Sequence, residues 1–222
     1  MATHQLNHMF KTSMVKNHKK QQPRTPRFHV FNNATTSSTT TPMSARKLIE
    51  SGTVKTIFPK DASIAMNSEG FLLLDVRPTW ETEKARVVGS VHMPIFVEDT
   101  DNSPVTLLKK WVHFGYIGLW TGQYLTTLNP EFLGQVEVAI PDKGTKVLVA
   151  CGEGLRSMAA ASKLYNGGYK NLGWLAGGFS RSKDDDFPGI EGTEKLQYAT
   201  VGGVSYYFLQ LLILLQAVEM GE

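Results

Sequence analysis

The sequence predicts an α/β fold built on an open parallel sheet flanked by helices. Three observations carry this. Two short apolar runs, Phe71–Asp75 and Lys146–Ala150, have the length and composition of strands buried on both faces. The second run is followed by a helical pattern from about Arg156 to Tyr165, which Gly167 and Gly168 end. A further short strand is predicted at Lys170–Gly173, and strand–helix–strand at this spacing requires a right-handed crossover.

Taken in chain order, residues 1–44 come first and are predicted to be disordered. They include a low-complexity run at 34–41 and cannot bury enough apolar surface to offset the entropy of ordering. Residues 1–49 hold eight of the 23 Lys and Arg and none of the 20 Asp and Glu, so the remainder carries 15 basic against 20 acidic residues. A basic, acid-free, Ser/Thr-rich start without a long apolar stretch reads as an organelle transit peptide, and its limited Arg favours the plastid over the mitochondrion. The other reading is a disordered cytosolic tail. Processing is placed between Thr36 and Arg46.

The body begins near Ala45, with helical candidates at 45–51 and 61–68 before the first apolar run. A turn at Pro141–Gly144 leads into the second run. The folded body spans 45–190, and residues 98–136 interrupt its alternation with Trp111, Phe114, Tyr116 and Trp120 set among glycines. Two readings of this enlarged insert stay open. It is a lid packing its aromatics on the core, or it is a ligand or partner surface.

Residues 196–218 carry no charge. At about 1.5 Å per residue a helix of that length matches a hydrocarbon layer of about 30 Å, and its apolar residues occupy every face. A transmembrane or membrane-associated helix is therefore expected over 196–218. Gln197, Gln210, Gln216, Gly202 and Gly203 argue for the alternatives, a helix packed on the domain or lying in the membrane plane. If it spans, the sparse flanking charges leave the main domain on the import side.

The single cysteine excludes an intramolecular disulfide and a Cys-rich metal site, and His4, His8, His18 and His29 are loosely spaced in the tail. Neither a metal nor a cofactor is expected. The acidic body lacks a basic–aromatic stripe, so nucleic acid is not an expected partner, and no phosphate-binding Gly-rich motif with its Lys is present.

The chemistry centres on Cys151-Gly152-Glu153-Gly154-Leu155-Arg156-Ser157. A buried strand ends, the thiol follows at once, and a helix begins about five residues on. Two glycines let the backbone curl so that successive N–H groups converge as an anion nest, and the helix N-terminus adds positive potential. Both effects favour a thiolate or a persulfide over a neutral thiol. The sulfur is expected to be open to solvent. Ser157 is placed to cap the helix or donate to the sulfur, and Arg156 to supply positive potential or clamp the loop. His92 and His113 are distant in sequence, although the fold is able to bring His92 near. The competing reading of Cys151 is a buried small hydrophobe.

This loop resembles the Cys-x-x-Gly-x-Arg-Ser active loop of the rhodanese-like (sulfurtransferase) domain family. Leu74-Asp75-Val76-Arg77 is similar to the family's Leu-Asp-Val-Arg motif, Glu81 falls on a family glutamate, and Gly89–Pro94 resembles its Gly-Ala-x-Asn/His-Ile-Pro turn. Gly168–Leu172 and Leu175–Phe179 are similar to its closing motifs. The resemblance covers about 45–185, and with its flanking segments the whole is similar to chloroplast rhodanese-like proteins of thylakoid membranes. It implies a sulfur relay. Cys151 takes sulfane sulfur from a donor, holds it as a persulfide in the loop amides, and passes it to a thiol acceptor, which is a small molecule or a protein. It also implies that Asp75 and Arg77 brace the loop, and Asp75 is a candidate partner for Arg156.

The chain departs from the family at several positions. Gly152 and Glu153 stand where basic residues are common, Ala85-Arg86 replaces Gly-His, and Ser182 replaces a tryptophan. A carboxylate at the mouth repels thiosulfate, so weak thiosulfate turnover is expected, improved by Glu153→Gln or Glu153→Arg. Arg86 either restores positive field or is simply solvated. Arg156 follows Cys151 after four residues, one fewer than in cysteine phosphatases, and the shorter cradle suits sulfur better than phosphoryl. The alternative function is a weakly active or inactive membrane-tethered module for protein binding or redox sensing, because a lone cysteine has no resolving partner in its own chain.

Overall fold

In chain order the computed structural model, which describes residues 44–219, begins with α1 (Ala45–Glu50), β1 (Val54–Ile57), α2 (Pro59–Asn67), β2 (Leu72–Asp75) and α3 (Thr79–Thr82). Then come β3 (Ala85–Val87), β4 (Val91–His92), β5 (Phe96–Glu98) and α4 (Pro104–His113). A π-helical turn, Phe114–Gly118, leads to α5 (Leu119–Thr121), β6 (Thr126–Leu128) and α6 (Phe132–Ala139). The chain ends with β7 (Val147–Ala150), α7 (Leu155–Asn166), β8 (Leu172–Leu175), β9 (Ile190–Gly192) and α8 (Gly203–Glu219). The transit segment expected at 1–44 lies outside the described residues apart from Ser44.

The main sheet has the order β1-β8-β7-β2-β4, and every pairing is parallel. Central β7 is buried along its whole length. Its side chains alternate between two apolar clusters. Val147 and Val149 face Phe132, Ala160 and Leu164, while Leu148 and Ala150 face Leu175 and Phe179. Cover on both faces explains why the sequence shows a continuous apolar run rather than an alternating one.

The expected sheet is present, with two shifts. The strand after α7 starts at Leu172, not Lys170, because Gly168 at φ 101° turns the chain and Tyr169 is pulled inward, donating its hydroxyl to the Ile140 carbonyl at 2.6 Å. Strand β1 was not anticipated. It is an edge strand whose two middle residues are exposed, so it leaves no apolar run to read. Two antiparallel ribbons, β3–β9 and β5–β6, complete the strands.

The insert corrects one expectation. Trp111, Phe114, Tyr116 and Trp120 do not pack on the core and are 78, 58, 82 and 51 % exposed. Residues 196–218 correct another. They form a short 3-10 turn at Leu196–Tyr198, a break, and then the 17-residue α8. Gly203, at φ 58°, sits so close to α5 that a Cβ on it would lie 2.4 Å from the Leu119 carbonyl. The two glycines are thus a packing joint, not the interior of one long helix. The 17 described residues of α8 span about 26 Å, and among the described residues no helix is long and apolar enough to cross a membrane.

Candidate active site

Strand β7 delivers Cys151 to the carboxyl end of the central strand, the position where open α/β sheets gather ligands. The loop then closes around its sulfur. The Gly154 N–H points at Sγ at 3.1 Å and the Ser157 N–H at 3.2 Å. Ser157 Oγ lies 3.3 Å from Sγ and donates to the Gly154 carbonyl at 3.0 Å, so it serves the thiol and the loop rather than the helix-capping role. Gly154 makes the turn possible in a left-handed conformation, φ 94°.

Outward bonds from the loop carbonyls keep the amides facing in. Cys151 O accepts from Phe179 N at 2.9 Å, Gly152 O from Ser180 N at 2.8 Å, and Gly154 O from Trp174 Nε1 at 2.8 Å. The Phe179 and Ser180 amides reach the loop because Gly178 lets that backbone approach closely, a Cβ there lying 2.4 Å from the Cys151 and Gly152 carbonyl oxygens.

Two ion pairs support the loop, and they correct the expected pairing of Asp75 with Arg156. Asp75 instead binds Arg77. Both are fully buried, with Arg77 Nη2 2.6 Å from Asp75 Oδ2 and Arg77 Nη2 also donating to Ala85 O at 2.7 Å. The Arg77 guanidinium stacks 4.5 Å from the Phe179 ring centre, so the brace expected of Asp75 and Arg77 acts through Phe179. Arg156 binds Glu81 through two bonds, 2.8 and 2.7 Å. Burial lowers the Arg156 pKa, but the bonds to Glu81 and the nearby Cys151 sulfur outweigh it and hold it above the ordinary value. Arg156 is therefore a clamp, and its charge is already engaged.

The sulfur is not open to solvent in the manner expected. Cys151 is fully buried and belongs to a core cluster, yet it also lines a cavity of about 620 Å³. The cover has two sources. His113, Gln123 and Tyr124 come from the insert, and Gln197, Thr200 and Val201 come from the segment before α8. Glu153 and Leu155, both exposed, stand at the mouth. The insert thus contributes His113, Gln123 and Tyr124 to the cavity lining, while Trp111, Phe114, Tyr116 and Trp120 are exposed. Gln197 and Thr200 were missed because they sit in a segment that reads as membrane helix. The visible signal was the cluster of polar residues and glycines that fitted a span poorly.

Two other candidates stand apart. His92 Nε2 is 2.8 Å from the Arg77 carbonyl and lines a different cleft from Cys151. Arg86 pairs with exposed Glu191 at 2.5 Å in that same cleft and does not line the Cys151 cavity. Among the described residues no group of three or more His, Cys, Asp or Glu is arranged to hold a metal ion.

Fold and site together define an α/β domain with a cysteine-centred anion loop at the end of its middle strand. The family model described as the rhodanese-like domain matches residues 58–185, and the chain belongs to that family. Rhodanese-like domain-containing protein 10 of Arabidopsis thaliana is 56 % identical over 212 residues, 95 % of this chain and 94 % of its own. Rhodanese-like domain-containing protein 11, chloroplastic, of the same plant is 41 % identical over 160 residues, 72 % of this chain and 54 % of its own. Among solved structures, the rhodanese-like domain of an Anabaena protein is similar with a TM-score of 0.40 at 17 % identity, covering 62 % of this chain and 78 % of that one.

Proposed function

We propose that the protein is a sulfurtransferase working through a persulfide on Cys151. The observation that carries this is the convergence of the Gly154 and Ser157 amides on one sulfur that lines a cavity. Fixed amide dipoles stabilise negative charge, and both the attacking thiolate and the terminal persulfide sulfur are anionic. In the first half-reaction the thiolate attacks the sulfane sulfur of a donor X–S⁻. The X–S bond breaks, X⁻ leaves with its electron pair, and the enzyme keeps Cys–S–S⁻. In the second, an acceptor thiolate attacks the outer sulfur and Cys151 departs as thiolate. Intact mass after incubation with sulfane-sulfur donors tests this. A reductant-sensitive gain of one sulfur, lost in Cys151→Ser, is expected, and no gain with any donor overturns it.

A second reading is a weakly active or inactive rhodanese module for protein binding or redox sensing. The exposed Glu153 carboxylate, for which no ion pair is found among the described residues, favours it. Stable partner capture by Cys151→Ala without any sulfur gain is its signature.

The proposed location is the chloroplast, at the stromal face of the thylakoid membrane. Support comes from the basic start of the chain and from relatives whose names carry "chloroplastic". We infer attachment in the membrane plane, not across it. Helix α8 exposes Tyr207, Phe208, Leu211, Leu212, Leu215 and Val218, and α4 exposes Leu108 and Trp111 beside Lys109 and Lys110. Apolar and aromatic side chains next to lysines fit an anionic lipid surface. Co-flotation of the protein with anionic vesicles is expected, weakened by Leu211→Glu/Leu212→Glu. A protein that stays unbound, or that buries this face in a dimer, refutes lipid as the occupant.

A further inference from the structure

The cavity above Cys151 is larger than a small inorganic dianion needs, and the Glu153 carboxylate lines it without an ion pair among the described residues. Its volume of about 620 Å³ lies in the range that holds organic ligands. Its one arginine, Arg156, gives one bond from each terminal nitrogen to Glu81, and among the described acidic and basic lining residues other than His113 only Glu153 lacks an ion pair. His113 is bonded through Nε2 to the Gln123 carbonyl at 3.0 Å.

Two polar atoms in the cover are also unsatisfied. Gln197 Oε1 and Thr200 Oγ1 are buried and have no hydrogen-bond partner in the protein, and both residues line the cavity. A buried polar atom left unpaired costs about 1–3 kcal/mol, so each of the two calls for a partner, which a ligand or an ordered water supplies. Thr200 is set directly against the thiol loop. A Cβ on Gly152 would lie 2.5 Å from Thr200 Oγ1, and the Thr200 carbonyl is fixed by Gln123 Nε2 at 3.1 Å. Gln197 Oε1 only accepts, and so does the Glu153 carboxylate. Thr200 Oγ1 accepts and also donates, so all three groups offer an acceptor to a ligand that carries N–H groups.

We propose that the sulfur donor is an organic sulfane-sulfur compound carrying an ammonium or amide N–H group, and that Gln197, Thr200 and Glu153 select it. The proposal rests on the sulfurtransferase reading and deepens it. For a thiosulfonate, R–SO₂–S⁻, the Cys151 thiolate attacks the terminal sulfur. The bond between sulfane and sulfonyl sulfurs breaks, the sulfinate R–SO₂⁻ leaves with the electron pair, and Cys–S–S⁻ remains. For an organic persulfide, R–S–S⁻, the leaving group is R–S⁻. In both, the N–H group of R meets the acceptors of the cover while the sulfur reaches the amide nest.

The test uses the full-length protein and three probes with one reactive sulfur type: 2-aminoethanethiosulfonate, methanethiosulfonate and inorganic thiosulfate. The rate of one-sulfur gain on Cys151 is read by intact mass. The amino compound is expected to react at least about tenfold faster than the methyl compound, since a hydrogen bond to a charged group is worth about 1.5–3 kcal/mol. That ratio should fall severalfold in Gln197→Leu and in Thr200→Val. Glu153→Gln, at an exposed position, should lower it too and gives a readout even where a cover variant folds poorly. Equal rates for the amino and methyl probes, or thiosulfate as the fastest, would overturn the selection proposal and leave the sulfurtransferase intact. No sulfur gain from any probe would remove both.

Discussion

Arg156 and Glu81 stand 75 residues apart and share two parallel hydrogen bonds, Nη1 to Oε1 at 2.8 Å and Nη2 to Oε2 at 2.7 Å. The pair ties α7, which opens from the thiol loop, to α3, which follows the adjacent strand β2. Glu81 is almost completely buried and Arg156 partly so. The planar fork fixes an orientation that an ammonium does not. Arg156→Lys should keep the charge and lose that orientation, slowing sulfur gain on Cys151 about tenfold with a modest fall in melting temperature. Glu81→Ala should cost about 3 kcal/mol of stability, because it strands a cation in a desolvated place. A wild-type rate in Arg156→Lys would show that the clamp does not position the loop.

Asp75 and Arg77 form the second support, and here burial is complete on both sides. Arg77 also donates to Ala85 O and stacks on Phe179, whose N–H holds the Cys151 carbonyl. Asp75→Ala should destabilise by about 3–5 kcal/mol, measured by urea unfolding. The double variant Asp75→Ala/Arg77→Met should cost less than the two single changes added together, since it removes the orphaned charge as well. Strict additivity would show that the two residues do not act as a pair.

The sheet was legible in the sequence wherever burial on both faces leaves a continuous apolar run, as at Leu72–Asp75 and Val147–Ala150. Edge strand β1 and the short ribbons were not, because their side chains alternate or face water over too few residues to show a period. The thiol loop was legible because its chemistry is local. Cys151, Gly154 and Ser157 lie within seven residues, and the amides that meet the sulfur belong to that same turn. Long-range partners were not local. The expected Asp75–Arg156 pair had the right charges, but Arg77 lies two residues from Asp75 and takes it first. The cavity cover was the least legible part. Uncharged residues 196–218 satisfy a hydropathy criterion equally well as one helix or as a 3-10 turn, a glycine joint and a shorter helix. Only tertiary contact between Gly203 and Leu119 distinguishes them.

Asp101 gives a pH-dependent expectation at the entrance to α4. Its carboxylate accepts from Thr106 Oγ1 at 2.6 Å, from Ser103 N at 2.9 Å and from Ser103 Oγ at 2.8 Å. The Thr106 bond, followed by the two from Ser103, lowers its pKa to about 2. A depressed carboxylate contributes stability that is present above the ordinary Asp value and disappears as pH falls through the folded value. The start of α4 should therefore hold down to about pH 4 and loosen between pH 4 and 2. An NMR titration should find the Asp101 carboxyl midpoint near 2. Asp101→Asn should remove that step from the local pH dependence. A midpoint near 4 would mean that the three bonds are not maintained in solution.

Gly178 is where the backbone behind the thiol loop tolerates no side chain. Its φ of 65° with ψ of −166° is a conformation that is nearly glycine-only. A Cβ there would also lie 2.4 Å from both the Cys151 and the Gly152 carbonyl oxygens. Those oxygens accept from the Phe179 and Ser180 amides, so relief by movement would break the bonds that turn the loop amides inward. Gly178→Ala should therefore lose about 3 kcal/mol of stability through backbone strain and steric displacement together. It should also slow sulfur gain on Cys151 more than a purely destabilising change elsewhere does. The control is Val136→Ala, a buried position in α6 away from the loop, whose core truncation should cost about 1–3 kcal/mol. With both variants assayed well below their melting temperatures, Val136→Ala should retain a near wild-type rate while Gly178→Ala falls about tenfold or more. Equal rates in the two would mean that the close approach at Gly178 serves folding and does not shape the sulfur's amide nest.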